Sequence, residues 1–339
     1  MLYLIKKYWY LFLISILINI PLLVVSTFRT NKYIITKGGI TNFSDIIEVE
    51  DGYSQEGSFS TIYVNDIEGT TLFMNFVASL NPNTMELNEK SEVQSQMSEK
   101  EYFYSGKIQY NSSVFKSIIM AYTYAKEKYP DSNINIDYQF EGYMITYYTK
   151  ESILKTGDLV KEVYDSENNL KFSYKDEESY RKNFKLSLGD TIVIERDGET
   201  LSLVPEESFS YGYSDYYSIN DDTLYPKIKQ NYNAVGGPSG GLLQSLSIYN
   251  QLVEKDLTHG LKIAGTGTIS YNGKVGAIGG IKEKVPTAID NNIDIFLCVS
   301  ANYEDALNAY NSTFGHEKMQ LVEIKTFYDA VDYLEAYNA

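Results

Sequence analysis

From Tyr8 to Phe28 the chain reads YWYLFLISILINIPLLVVSTF, without a single charge. About 20 apolar residues in a helix cross the hydrocarbon core of a bilayer, so this run predicts one transmembrane span. Asn19 and Pro21 dilute its apolar character without shortening it. Tyr8, Trp9 and Tyr10 sit where an interfacial aromatic belt would. No small-x-small cleavage pattern follows, which favours a retained signal anchor over residues 1–30. Lys6 and Lys7 precede the run and Arg29, Lys32 and Lys37 follow it, a balance that does not fix its orientation.

The 339 residues allow two or three domains. Lys and Arg total 29 against 45 acidic residues, a net charge of −16, which excludes nucleic acid as a partner because phosphate binding needs a basic face. No GxxxxGK[ST] pattern occurs, so ATP is not expected to bind. The two histidines, His259 and His316, offer neither a metal site nor a partner for a catalytic triad. The one cysteine, Cys298, lies in an apolar run that reads as a buried strand. No metal and no cofactor is expected.

Near the C-terminus the chain reads Gly236-Gly237-Pro238-Ser239-Gly240-Gly241-Leu242. Leu242, Leu243, Leu246, Tyr249, Leu252 and Val253 then recur at helical spacing. Pro238 suits the first turn of that helix. Ser239 is thereby placed at a helix N-terminus, where free backbone N–H groups around Gly237, Pro238 and Gly240 would hold an oxyanion. A plain Ser helix cap fits the same residues. Further on, β-branched residues flank Asn272-Gly273 and predict a hairpin from Lys262 to Ile278. Then comes Gly279-Gly280-Ile281-Lys282-Glu283-Lys284-Val285. A lysine works as a general base only when burial keeps it neutral. Ile281 and Val285 suit such burial, and two surface lysines on an amphipathic helix fit equally.

Taken together, Gly237-Pro238-Ser239-Gly240-Gly241, Thr266-Gly267-Thr268-Ile269 and Gly279-Gly280-Ile281-Lys282-Glu283-Lys284 resemble, in order, the serine, strand and lysine motifs of the Lon proteolytic domain. The resemblance covers residues 215–339. It implies Ser239 as nucleophile, Lys284 rather than Lys282 as base, and Thr266 as the hydroxyl that bonds the lysine amine. Gly240 stands where the family has alanine, and Pro286 where it has a helix former, which predicts a helix starting close to Val285.

Upstream, short strands are expected at Lys32–Thr36, Ile46–Val49 and Ser60–Val64, a partly helical or looped stretch over 81–101, and a helix over Ser113–Tyr129. Residues 31–130 read as an N-terminal extracytoplasmic segment. Residues 131–208 resemble a PDZ domain through Phe140-Glu141-Gly142-Tyr143-Met144-Ile145, Leu154-Lys155-Thr156-Gly157-Asp158-Leu159-Val160 and Leu188-Gly189-Asp190-Thr191-Ile192. In such a domain Gly142, Tyr143, Met144 and Ile145 would receive a peptide along an open sheet edge. After Lys284 the pattern runs strand, helix, strand, helix, which suits an α/β layer.

The expected architecture is therefore multidomain α+β: a transmembrane anchor, a PDZ domain and a Lon-type α/β proteolytic domain. The whole arrangement resembles the membrane-anchored, PDZ-containing Lon-like serine peptidases of Gram-positive bacteria. That resemblance implies an ATP-independent Ser-Lys endopeptidase in the cell membrane, its catalytic domain outside, cutting secreted peptides or membrane-linked proteins. A non-catalytic PDZ adaptor with a relict protease fold is the alternative. Homo-oligomerisation is left open.

Overall fold

The computed structural model describes residues 2–81, 85–149, 152–176, 184–231 and 237–337. Its first element is helix α1 (Leu2–Thr27), which contains Pro21. None of the apolar stretch Lys7–Thr27 is buried against the rest of the chain, and its length and composition make it a candidate membrane span.

Next come β1 (Lys32–Asn42), β2 (Ile47–Val49), β3 (Ser58–Ile67), α2 (Leu72–Leu80), β4 (Met85–Glu89), α3 (Glu92–Gln96) and α4 (Glu99–Lys128). The first and third strands run 11 and 10 residues, well past the short segments expected. The first strand passes the expected end at Thr36 and continues through Gly38-Gly39 as a bulge between Lys37 and Gly39. The cause is a close approach: a Cβ at Gly38 would lie 2.1 Å from the Tyr63 carbonyl oxygen. The polar stretch over 81–101 holds strand β4 and two capping boxes, Ser91 with Gln94 and Ser98 with Glu101. The second box starts α4 at Glu99 rather than near Ser113.

A second group comprises β5 (Tyr138–Tyr148), β6 (Leu159–Tyr164), β7 (Leu170–Ser173), β8 (Thr191–Arg196), β9 (Glu199–Leu203) and β10 (Tyr211–Ile219). The chain then forms β11 (Ile228–Gln230), α5 (Gly241–Leu252), β12 (Lys262–Thr266), β13 (Thr268–Ile269), β14 (Val275–Gly276), α6 (Ile281–Asp290), β15 (Ile295–Val299), α7 (Tyr303–Ser312), β16 (Gln320–Ile324) and α8 (Phe327–Ala336).

The fold is mixed α+β. Its main sheet has the order β16-β15-β12-β3-β1-β4. Strands β3, β12, β15 and β16 are mutually parallel, and β1 is antiparallel to β3 and β4. Residues 32–89, expected to stand apart, therefore share one layer with residues 262–324. The second sheet, β10-β5-β6-β8-β9, is inserted in sequence between α4 and β11. Only Thr268–Ile269 and Val275–Gly276 form the expected hairpin. Lys262–Thr266 instead lies inside the main sheet, with Ile263 and Ala264 fully buried.

Helix α5 is buried on every side rather than along one stripe. Helix α4 packs on it through small residues four apart: Ser113, Ser117, Ala121 and Ala125 are all buried. A Cβ on Gly241 would lie 2.7 Å from Ser113 Oγ, so the two helices meet without room for a side chain there.

In the inserted sheet the expected peptide-binding edge is already occupied. Strand β10 pairs with β5 along its length, setting Tyr216, Asp215, Ser214 and Tyr213 opposite Gly142, Tyr143, Met144 and Ile145. On the other side β6 pairs Val160 with Tyr143 and Leu159 with Met144. The four residues thus sit in an interior strand. The Tyr-rich segment 211–219, unread as a strand from sequence, supplies the missing partner. Its Tyr213 joins Tyr143, Phe172 and Phe184 in an aromatic cluster with ring centroids 4.2 to 5.3 Å apart. Gly142 adopts φ +136°, and a Cβ there would lie 2.3 Å from the Val160 carbonyl oxygen. The two Gly-Asp signals make equivalent turns: Asp158 accepts from Lys155 N–H and Asp190 from Ser187 N–H, each at 2.8 Å.

Candidate active site

Ser239 lies in the turn that leads into α5. Gly241, not Pro238, is the first helical residue, and Gly240 is the N-cap. The reason is local: Gly241 N–H donates to Pro238 O at 3.2 Å and closes a turn before the helical ladder starts with Gln244 N–H to Gly240 O at 3.0 Å. The Ser239 carbonyl is tied to the end of β12, accepting from Gly267 N–H at 2.7 Å and from the Thr266 hydroxyl at 3.1 Å. From the other side the Ser113 hydroxyl donates to Pro238 O at 3.3 Å. The nucleophile's backbone is thus held by the sheet and by α4 together.

Lys284 lies on α6. Gly280 caps that helix at φ +70°, which turns the chain so that Ile281 is its first residue. Pro286 is inside the helix, so the expected start near Val285 is too late. A proline here removes the N–H that would pair with the Lys282 carbonyl, and Lys282 is exposed, where water can replace it. The Lys282 side chain points to Glu86, 3.9 Å away, and is half exposed. Lys284 is only 2% exposed. Its Nζ is 3.0 Å from Ser239 Oγ and 3.3 Å from Thr266 Oγ1.

Burial lowers the Lys284 pKa from 10.5 to about 8, against the opposing pull of the Asp66 carboxylate. Asp66 is itself raised by burial and then by Glu68. Glu283, fully buried beside the lysine, is raised to about 7 by burial and by the Glu86 carboxylate. The amine thus sits in a poorly hydrated place where loss of its proton is easy near neutral pH.

The backbone donors differ from those expected. Gly237 N–H donates to Gly106 O at 3.2 Å, and Pro238 has no N–H to offer. Among the described residues, the N–H groups of Ser239 and Gly240 carry no hydrogen bond. Gly236 lies outside the described residues.

A cavity of about 140 Å³ opens at Ser239 and Lys284, with Phe43, Thr61, Tyr63 and Asp66 in its wall. It continues into a groove of about 930 Å³ that runs past Tyr63, Val64, Asp66 and Glu68. Strand β3 pairs with β12 only from Ser58 to Thr61, so beyond Thr61 one edge of β3 has no strand partner among the described residues. Neither Asp66 nor Ser113 was singled out from sequence. Asp66 carries no local signature, whereas the four-residue spacing of Ser113, Ser117, Ala121 and Ala125 is a readable sign of close helix packing. The Gly142–Ile145 strand lies in the other sheet and contributes no residue to the walls of either cavity. Among the described residues, no group of three or more His, Cys, Asp or Glu is placed to hold a metal ion.

Residues 222–334 match the model of the Lon protease (S16) C-terminal proteolytic domain. A Lon protease of Mesomycoplasma hyopneumoniae (strain 232) is 27% identical over 134 residues, which is 40% of this chain and 15% of that protein. A Lon protease of Clostridium acetobutylicum is 29% identical over 136 residues, 40% of this chain and 17% of its own length. One from Campylobacter jejuni is 34% identical over 97 residues, 29% of this chain and 12% of its own. The chain thus spans only a small part, 10 to 17%, of the curated relatives it matches. This family and these relatives support a serine peptidase. Residues 222–334 carry a Lon protease (S16) C-terminal proteolytic domain.

Proposed function

We propose that the chain is an ATP-independent serine endopeptidase, anchored in the membrane by α1 and acting from the outer face on peptide or protein substrates. The observation that carries this reading is the Lys284 amine, buried, with its pKa lowered to about 8, and 3.0 Å from Ser239 Oγ. In the neutral form its lone pair accepts the Ser239 hydroxyl proton as Oγ attacks the substrate carbonyl. The oxyanion forms beside the unspent N–H groups of Ser239 and Gly240. The Lys284 ammonium then protonates the leaving amine, which releases the C-terminal product and leaves an acyl-Ser239. Lys284 next takes a proton from water, the hydroxide attacks the ester, and Ser239 regains its proton. Thr266 orients the amine and, through its bond to the Ser239 carbonyl, keeps both partners in register.

An extended substrate fits as an added strand beside the unpaired edge of β3, which leads its carbonyl to Ser239. The inserted module, PDZ-like in its glycine-turn pattern, has both edges of β5 filled and serves as a brace beside α4 rather than as a peptide trap.

The test is peptide hydrolysis by the full chain in detergent without nucleotide. Ser239→Ala and Lys284→Ala should each lower kcat/KM by about a thousandfold or more. Lys282→Ala, at an exposed side chain, should change it by no more than about threefold. Equal losses at Lys282 and Lys284 would remove Lys284 from the role of base.

A further inference from the structure

Helix α2 starts where α1 ends. Leu72 N–H donates to Phe28 O at 3.3 Å, and Thr30 N–H donates to Thr70 O at 2.8 Å. At 100° per residue, Leu72, Phe73, Phe76 and Leu80 fall on one face of α2. That face is bare: the four are 42, 46, 59 and 64% exposed, while Ala78 on the other side is buried. Phe28 and Ile67 extend the apolar patch. Apart from Asn75 Oδ1, which is buried and without a partner among the described residues, the polar side chains of the helix bond locally. Ser79 Oγ donates to Phe76 O at 2.7 Å, Asn81 Nδ2 to Val77 O at 2.8 Å, and Asn75 Nδ2 to Thr30 Oγ1 at 3.0 Å. Nothing on this face requires water.

Something apolar must cover it, and its position says what. The candidate span runs from Lys7 to Thr27, so the bilayer boundary falls at the first turn of α2. Arg29 sits at the same level, exposed and without an acidic partner among the described ion pairs, as a headgroup phosphate would require. We propose that α2 is an in-plane interfacial helix, with Leu72, Phe73, Phe76 and Leu80 seated at the headgroup and acyl boundary of the bilayer that α1 crosses. The inference rests on the reading of α1 as a span. It also fixes how the protease faces its surroundings. The groove from Ser239 follows β3 to Glu68, and the next turn of chain leads into α2. Docking of α2 sets that end of the groove at the lipid surface.

The test uses the full chain reconstituted in vesicles of phosphatidylcholine and phosphatidylglycerol. A Phe76→Cys variant carries an environment-sensitive fluorophore, and a Phe314→Cys variant is the control. Phe314 is 99% exposed and precedes β16, the opposite edge of the main sheet from β4, while the native Cys298 is fully buried. Lipids brominated near the carbonyl end of the acyl chain should reduce the emission of the label at 76 and leave that at 314 unchanged, in vesicles that carry the protein on flotation. Flotation with an unquenched label at 76 overturns the inference and leaves the anchor intact. Failure to float overturns the anchor and the inference together. A label at 76 that is shielded yet unquenched, with cross-linking between chains, assigns the face to a second copy and also overturns it.

Discussion

At Lys284 two effects of opposite sign meet. Burial favours the neutral amine, and the Asp66 carboxylate favours the ammonium. Burial wins, because 2% exposure leaves the charge almost no water while Asp66, an exposed residue, is screened by solvent. The cost falls on stability. Between pH 10.5 and about 8 the unfolded chain binds a proton that the folded chain does not. Stability therefore declines as pH falls through that window and levels off below it. Lys284→Met should be more stable than the parent at pH 7 by roughly 2–3 kcal/mol, the difference fading towards pH 10.5. Urea unfolding across pH in detergent reads this directly. A variant less stable at pH 7, with an unchanged pH slope, would mean that burial does not set the charge of this amine. Ser239 and Lys284 were legible in the sequence because each lies in glycine-rich backbone with a short fixed spacing. Asp66 was not, since it meets the lysine only through the sheet.

The element that aims Ser239 is the turn before α5, and its fit is tight. A Cβ on Gly240 would lie 2.9 Å from Phe43 Cζ and 2.9 Å from Thr61 Oγ1. Phe43 is 2% exposed and cannot swing aside. Gly240→Ala, the residue the Lon motif ordinarily carries, should therefore cost about 1–3 kcal/mol of stability and lower kcat/KM. Adding Phe43→Leu should recover part of both. A fully active single variant with an unchanged melting temperature would show that the turn has slack. Periodicity gave α5 but not its surroundings: one apolar stripe is visible in sequence, whereas Gln251, whose side chain accepts from Val49 N–H at 2.9 Å, is a polar residue buried by its partner. Helix α4 was half read, because its first turns are polar and its start depends on the Ser98 and Glu101 capping box.

Across the whole molecule, the C-terminal domain is completed by the strands that follow the anchor. β3 lies between β12 and β1, so residues 32–89 and 262–324 stand or fall together. Sequence order hid this, since parallel neighbours so far apart share no local signal. It also hid the pairing of β10 with β5, which closes the edge that the glycine motif suggested was open. Gly142→Val is accordingly a fold defect and not a binding defect: its Cβ meets the Val160 carbonyl at 2.3 Å. It should lower the melting temperature and reduce cleavage of long and short substrates alike. Selective loss of the long substrate, at unchanged stability, would reopen β5 as a peptide site.

The central claim is that Ser239 is activated by an amine whose proton is lost far more readily than that of an ordinary lysine, around pH 8. The most direct measurement is the rate of covalent modification of Ser239 by a serine-directed phosphonate across pH, with the modified residue identified by mass spectrometry. The account predicts a single adduct on Ser239, a rate that rises through a pKa of about 8, no effect of a metal chelator, and no adduct in Lys284→Ala. An adduct formed at the same rate in Lys284→Ala, or a rate flat from pH 6 to 10 in the parent, would contradict it.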